Sequence, residues 1–275
     1  MKSTTLFIFS AFLLVTSCNE KHEKRHNNDN NEKNNWVEKV VTKDNGPVKE
    51  REFSGDFDEI EVSQAIDAEI IKADVEKIVI FAPENIIDEI LVDNSGGKVH
   101  IHYKRGIRVM DSHNVKARIF AKDFTKLNAN SAGVIIVKDK FVQDKMHVEI
   151  SSSGSVSGDL EANDFDISAD SSGSFNGKVW AVDLGLDASS AASLDITGKT
   201  KNVDISASSG SSISAKNVIA DNVEAESSSG ASVEITAASS VRAEASSGGS
   251  IQVSRKGELK NVQKEESSGG SVSIQ

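Results

Sequence analysis

The sequence predicts an all-β fold, a right-handed parallel β-helix (β-solenoid) with rungs of about 20 residues. The main observation is a series of serine-rich pieces in the second half of the chain, each followed by an apolar residue. These apolar residues serve as anchors, and neighbouring anchors lie 18 to 21 residues apart: Val156, Phe175, Leu194, Ile213, Val233, Ile251 and Val272. A nearly constant interval of this length is typical of a solenoid, in which each repeat stacks on the next one.

Alternation within each repeat predicts which side chains face the core. Positions ten, eight and six residues before the anchor are apolar or small in most repeats, as in Phe165, Ile167 and Ala169. Successive side chains of a strand point to opposite faces, so these positions face inward and the positions between them face outward. An earlier, less regular copy has Ile135 as its anchor.

The turn of each repeat contains a serine four residues before the anchor in all seven copies. These corner serines are Ser152, Ser171, Ser190, Ser209, Ser229, Ser247 and Ser268. Glycines beside them supply the positive φ of a tight corner. We expect the corner serines to be structural and to stack in a column, with hydroxyls bonded along the stack and to the turn backbone. A serine nucleophile is the alternative, but it needs a base within reach, and the last histidine of the chain is His147.

The N-terminus has the pattern of a lipoprotein signal peptide over residues 1–17. Lys2 supplies a positive start and an apolar run follows, too short to span a bilayer as a helix. The small residues before Cys18 resemble a bacterial lipobox, so Cys18 is the expected lipidation site. An ordinary signal peptide with a chance cysteine is the alternative. Cys18 is the only cysteine, so it has no disulfide partner in the chain.

Residues 18–52 are predicted to comprise the lipidated Cys18 and a flexible polar tether, because apolar residues are absent from Asn19 to Asn35. His22 and His26 lie in this segment, where a metal-binding tract would lack a fixed scaffold.

Residues 53–275 are predicted to form one solenoid, with a less regular part at 53–125 and a regular part at 126–275. Dividing its length by the repeat predicts about eleven rungs, and a rod roughly 50 Å long at the usual rung spacing. Lys264 and Glu266 stand at inward positions of the last repeat, where they would prevent further stacking.

Acidic residues occupy the outward positions seven and nine residues before the anchors, which predicts an acidic stripe along the solenoid. Its members are Glu149, Asp166, Asp187, Asp204, Glu224, Glu226, Glu244 and Glu265. One interpretation is a solvated face that keeps the sheet soluble. The other is a surface for a divalent cation such as calcium, or for a cationic partner, although no EF-hand or calcium-roll motif is present.

Two further motifs are weak. His100 and His102 lie on one face of a predicted strand and could ligate a metal, but an exposed strand face is the favoured interpretation. Gly198-Lys199-Thr200 resembles the end of a phosphate-binding loop, yet Ser193 stands where that loop needs glycine. The sequence therefore predicts no metal site, no cofactor and no catalytic residue.

Three stretches together resemble a family of secreted bacterial lipoproteins, the head-GIN-domain proteins labelled auto-transporter adhesins. The stretches are FDEIEVSQAIDAEI (57–70), VEKIVIFAPENIIDEILVDNSGGKVHIHY (75–103) and the serial SSGS corners. The resemblance implies a parallel β-helical fold at the envelope of Bacteroidetes-type bacteria, and it implies no catalytic residues. Gln64-Ala65-Ile66-Asp67 stands where the Gly-Ile-Asn of the family name is expected, so no role tied to that motif is carried over.

The leading functional hypothesis is a non-enzymatic envelope lipoprotein, anchored to a membrane, that presents a repetitive surface for adhesion or for a glycan or protein ligand. A net charge of -11 argues against nucleic acid as a partner, because that surface requires a positive footprint. The alternatives are a periplasmic structural or stress-related protein and, least favoured, a polysaccharide-acting β-helix enzyme. The outer membrane is the expected location, with the face left open.

Overall fold

The structure, a computed structural model, describes residues 39–41, 46–109 and 114–275. It is nearly all β, with 68% of the described residues in strands, and forms a β-solenoid of about eight turns with rungs about 19 residues apart. The predicted fold class is confirmed. The strands are β1 (Lys39–Val41), β2 (Val48–Ser54), β3 (Glu59–Val62), β4 (Asp67–Lys72), β5 (Lys77–Pro83), β6 (Ile90–Ser95), β7 (Lys98–Tyr103), β8 (Ile107–Val109), β9 (Lys116–Ala121), β10 (Lys126–Ala129), β11 (Val134–Val137), β12 (Phe141–Ile150), β13 (Ser155–Ala169), β14 (Ser174–Ala188), β15 (Ser193–Ala207), β16 (Ser212–Ser227), β17 (Ser232–Ala245), β18 (Ser250–Arg255), β19 (Asn261–Glu266) and β20 (Ser271–Ile274), with a 3₁₀ turn at Ile87–Glu89.

The register predicted from the anchors is confirmed by the strand pairing. Val156 pairs with Phe175, and each later anchor pairs with the next one along the stack. The early copy also fits, since its anchor Ile135 pairs with Val156. The inward columns form one continuous core, in which Phe165 and Ile205 are 0% exposed.

The corners are four-residue turns closed by a main-chain hydrogen bond, as from the Gly154 N–H to the Ser151 carbonyl at 2.9 Å. All seven corner serines adopt φ between 48° and 53°, and the following residue is also at positive φ, as in a type I′ turn. The corners stack through the main chain, because Ser153 N–H donates to the Ser171 carbonyl of the next rung at 3.0 Å.

The prediction that the serine hydroxyls bond to one another along the stack is largely wrong. In the part of the chain that the structure describes, one hydroxyl bonds to another between rungs, from Ser232 Oγ to Ser212 Oγ at 3.3 Å. The backbone therefore holds the corners, and the serine side chains mainly face solvent.

The predicted count of about eleven rungs is wrong, because part of 53–125 forms a cap instead of rungs. The N-terminal cap consists of β2, β5 and β6, which pair antiparallel with β5, β9 and β7 respectively. The eight regular turns occupy β10 to β20, where every pairing given for the described residues is parallel.

In the N-terminal part of the solenoid, the order of the strands along the chain differs from their order in the sheet. Strand β3 lies between β7 and β10, and β4 lies between β9 and β11, all in parallel pairs. Strands β3 and β4 therefore form a layer in the middle of the stack. The layer of β7 and β9, with the cap, lies on one side of it, and the regular rungs that begin with β10 and β11 lie on the other side. Strands also start earlier than the predicted boundary after residue 52, because β1 (Lys39–Val41) pairs with β8 and β2 begins at Val48.

At the other end, polar side chains occupy inward positions of the last rung, as expected. Lys264 Nζ lies 3.3 Å from both Glu266 Oε1 and the Val272 carbonyl, and the Glu266 carboxylate accepts from the Val272 N–H at 2.7 Å. These charged groups oppose the stacking of another rung on this surface.

The predicted signal peptide (1–17), Cys18, His22 and His26 lie outside the described residues. In the described residues, no helix is long and apolar enough to cross a membrane.

Candidate functional site

The acidic stripe lies on the outward face of the sheet formed by β12 to β17 and β19. Five of its members, together with neighbouring polar residues, line an open groove of about 1150 Å³: Asp166, Asp187, Asp204, Glu224 and Glu226. Strand register explains this arrangement, since Asp204 pairs with Glu224, and Ser206 lies between Asp187 and Glu226 in adjacent strands. The two sequence-derived columns thus form one surface.

Cations contact members of the stripe on both sides of its middle. At one end, Glu149 is held by Lys126 Nζ at 2.8 Å and by His147 Nε2 at 2.9 Å. Partial burial disfavours ionisation of Glu149, but these two contacts outweigh it and lower the pKa of its carboxyl.

Towards the β19 end, Arg242 contacts Glu244 at 2.7 Å and Glu224 at 3.3 Å. Arg242 stands nine residues before Ile251, in a column where the acidic pattern is broken. Sequence reasoning missed this residue, although that break in the column was the signal for it.

The middle of the stripe carries negative charge without a neutralising partner. In the described residues, Asp166, Asp187 and Asp204 have no ion pair within 4 Å. Gly185 lies between Asp166 and Asp204 in register, and the carboxylate of Asp166 occupies the space that a side chain at Gly185 would take. Partial burial in the groove, and then the charges of Asp204 and Asp166, raise the pKa of the Asp187 carboxyl.

We expect Asp187→Asn to stabilise the protein at pH 7. A raised pKa means that the folded state holds a proton at a higher pH than the unfolded chain, so stability falls as pH rises past about 4, the unfolded value. Removing the charge should recover about 0.2–1 kcal/mol at pH 7, the scale of like-charge neighbours in a sheet, and nothing at pH 3, where both states are protonated.

Thermal unfolding at pH 7 and pH 3 measures this difference. Asp221→Asn is the matched control, because Asp221 is exposed and does not line the groove. Equal gains for the two variants at pH 7 would contradict the repulsion inferred among the three groove carboxylates.

A ladder of amides borders the groove. Asn202 Nδ2 donates to Asp183 Oδ1 at 2.6 Å, Asn222 Nδ2 donates to Asn202 Oδ1 at 2.8 Å, and Ser240 Oγ donates to Asn222 Oδ1 at 2.7 Å. These residues stand eleven positions before their anchors, where every regular repeat is polar, so the sequence contained the signal. Because each amide bonds its neighbour, the ladder holds the outward face in register.

The groove is a charged surface without a coordination site. Within residues 46–109 and 114–275, no group of three or more His, Cys, Asp or Glu side chains is arranged to hold a metal ion. The calcium interpretation of the stripe therefore finds no ligand cluster in that part of the chain.

His100 and His102 are half-buried and stacked on each other, with ring centroids 4.2 Å apart. The exposed strand face favoured from the sequence is therefore wrong for this pair. His102 Nε2 lies 3.0 Å from Asp93 of the neighbouring strand β6, and burial, the largest cause, lowers the pKa of His100.

Ser63 lies beside these histidines, but the arrangement is not a catalytic triad. Ser63 Oγ and Glu61 Oε1 both approach the same nitrogen of His100, Nε2, at 2.9 and 3.6 Å. A triad places the acid on the opposite ring nitrogen from the serine. Ser63 is also only 4% exposed.

Comparison with known proteins agrees with this architecture. Residues 56–257 match the family described as "Putative auto-transporter adhesin, head GIN domain". No curated protein matches the chain.

Several solved structures share the fold. A "putative adhesin" from Parabacteroides merdae ATCC 43184 is 16% identical with a TM-score of 0.78, covering 86% of this chain and 99% of that chain. A "putative lipid binding protein" from Parabacteroides distasonis ATCC 8503 is 19% identical with a TM-score of 0.73, covering 86% and 100%. A "putative adhesin" from the same strain is 16% identical with a TM-score of 0.71, covering 83% and 100%.

At these identities the structural likeness concerns the fold alone. The family match, in contrast, covers well over half of the chain and extends from β3 through β18. The protein therefore belongs to the head GIN domain family of adhesin-type proteins.

Proposed function

We propose that this protein is a non-enzymatic envelope lipoprotein whose solenoid presents a repetitive surface for adhesion, through a glycan or protein ligand. The observation that carries the proposal is the uninterrupted regularity of the rungs. Strands β13 to β17 are each 14 to 16 residues long, and four-residue corners join them. No inserted loop stands between these strands to build an enclosed catalytic cleft.

Membership of an adhesin-type family supports the same conclusion. A rigid stack of rungs holds outward side chains at a fixed spacing of about 4.8 Å, which suits contact with a long or repetitive ligand. The open groove along β13 to β17 is polar and largely acidic, which disfavours nucleic acid as its occupant.

Membrane attachment through Cys18 is part of the proposal. Several acyl chains on one cysteine anchor a protein stably, whereas a single chain is marginal. We expect wild-type protein in the membrane fraction and Cys18→Ala in the soluble fraction, measured by ultracentrifugation and immunoblotting. Membrane retention of Cys18→Ala would contradict anchoring at this residue.

Protease treatment of intact cells tests the adhesion function. If the solenoid faces outward, it should be lost from unbroken cells while a periplasmic marker protein survives. Complete protection of the solenoid until lysis would overturn the adhesion proposal. It would favour the alternative, a structural or stress-related protein of the periplasm.

A further inference from the structure

Trp180 differs from the other aromatic residues of the regular rungs. Phe141, Phe165 and Phe175 are at most 1% exposed, whereas Trp180 is 44% exposed. It stands on the outward face of β14, and its indole contributes to the walls of two neighbouring depressions of about 340 and 440 Å³. These volumes lie near the lower end of the range of small-ligand sites.

Strand register places charged side chains around the indole. Lys199 of β15 pairs directly with Trp180, and Glu161 of β13 pairs with it on the other side. Lys178 lies two residues earlier in β14 and therefore on the same face. The 340 Å³ depression is thus lined by Lys178 of β14, Lys199 of β15 and Lys140, which immediately precedes β12, with Asp159 and Glu161 as its acids.

Two of these lysines are free to meet a ligand. Lys140 is engaged by Glu161. Within the described residues, Lys178 and Lys199 have no carboxylate within 4 Å, and no cation lies over the Trp180 ring. An uncovered indole face beside two unpaired ammonium groups is unusual on a chain with a net charge of -11.

We propose that Trp180, Lys178 and Lys199 form a binding subsite for an acidic pyranose, a uronic-acid unit of an oligosaccharide. The axial C–H groups of a pyranose carry partial positive charge and pack on the negative face of an aromatic ring. The sugar carboxylate is the charge complement of the two lysines. This assignment deepens the proposed adhesive function, on which it rests, by naming the ligand class and the residues.

Trp180 offers its own signal for a binding experiment. The chain contains two tryptophans, so Trp36→Phe leaves Trp180 as the only tryptophan, which is excited selectively at the red edge of its absorption. We would titrate the full chain carrying Trp36→Phe, in detergent, with a galacturonic acid hexamer and with its methyl-esterified form. The ester keeps the ring and removes the charge. A blue shift of emission with the acid, and at least about tenfold weaker binding of the ester, is expected.

Variants separate stacking from charge. By calorimetry, Trp180→Ala should weaken hexamer binding at least about tenfold and Lys199→Gln about three- to tenfold. Val262→Ala should leave it unchanged, because Val262 is an exposed apolar residue of β19 that lines neither depression. Lys199→Gln keeps the indole, so it tests the charge even if Trp180→Ala folds poorly.

Absence of binding, equal affinity for acid and ester, or full binding by Trp180→Ala would each overturn the assignment. Binding to anionic phosphatidylglycerol vesicles without binding to the hexamer would also overturn it, in favour of a lipid headgroup. None of these results alters protease sensitivity on intact cells, so failure of this subsite is distinguishable from failure of the adhesive function.

Discussion

Replacing Ile205 with aspartate is expected to unfold several rungs of the solenoid. Ile205 is 0% exposed and lies in the inward column between Leu186 and Ala225. A carboxylate at this position finds no polar partner in the core, so the cost should exceed about 4 kcal/mol. Rungs contact only their neighbours, so the loss should spread along the stack from this point. Circular dichroism and hydrogen exchange measure the loss.

The matched control is Ser206→Asp, the same substitution one residue further on. Ser206 points outward into the groove between Asp187 and Glu226, where repulsion from these two neighbours should make an added carboxylate cost about 0.4–2 kcal/mol. Ser209→Ala should also cost little, because no hydrogen bond of the Ser209 hydroxyl is found among the described residues. Similar losses of stability for Ile205→Asp and Ser206→Asp would contradict the register of the whole solenoid.

Gly198→Ala is expected to have the second largest effect, a loss of about 2–5 kcal/mol. Gly198 lies in β15 opposite Val179, and an added Cβ would overlap the main-chain oxygen of Val179. Its φ of 136° is also disfavoured for residues with a side chain. The main chain of one rung therefore blocks a side chain on the next. Chemical denaturation measures this loss of unfolding free energy, and an m-value equal to that of the wild-type protein shows that the change is one of stability.

Gly210→Ala isolates the conformational part of this cost. Gly210 has φ of 70° in a corner, and nothing lies within 4 Å of the position its Cβ would occupy. Its replacement should cost only about 1 kcal/mol, the strain of a left-handed residue. A loss for Gly210→Ala as large as that for Gly198→Ala would show that the contact with Val179 is relieved by a small shift.

The corner serines show how a repeat tolerates local strain. Serine is an uncommon choice at positive φ, yet Ser152, Ser171 and the other corner serines all adopt it. Every corner gains a closing hydrogen bond, and the corners from Ser153 to Ser229 also gain a main-chain bond to the next corner, as at Ser153 and Ser171. Because these bonds recur along the stack, the stack compensates a cost that a single turn would not.

Much of the candidate surface could be read from the repeat. Asp187 and Glu226 lie in the column that the anchor spacing assigns to them, and the amides of Asn202 and Asn222 lie in another. The columns do not predict which of these carboxylates are neutralised by an ion pair. That depends on side-chain reach between strands, as when Arg242 contacts both Glu224 and Glu244.

The sequence by itself determined the class of fold, the register of the regular rungs and the direction of each side chain. It could do so because alternation with period two encodes inside and outside, and a constant interval stacks equivalent residues on one another. Tertiary structure alone decided the position of β3 between β7 and β10, the antiparallel cap and the exposure of Trp180. These features depend on pairings between distant segments, whose free energy comes from the packed assembly and leaves no periodic pattern in the chain.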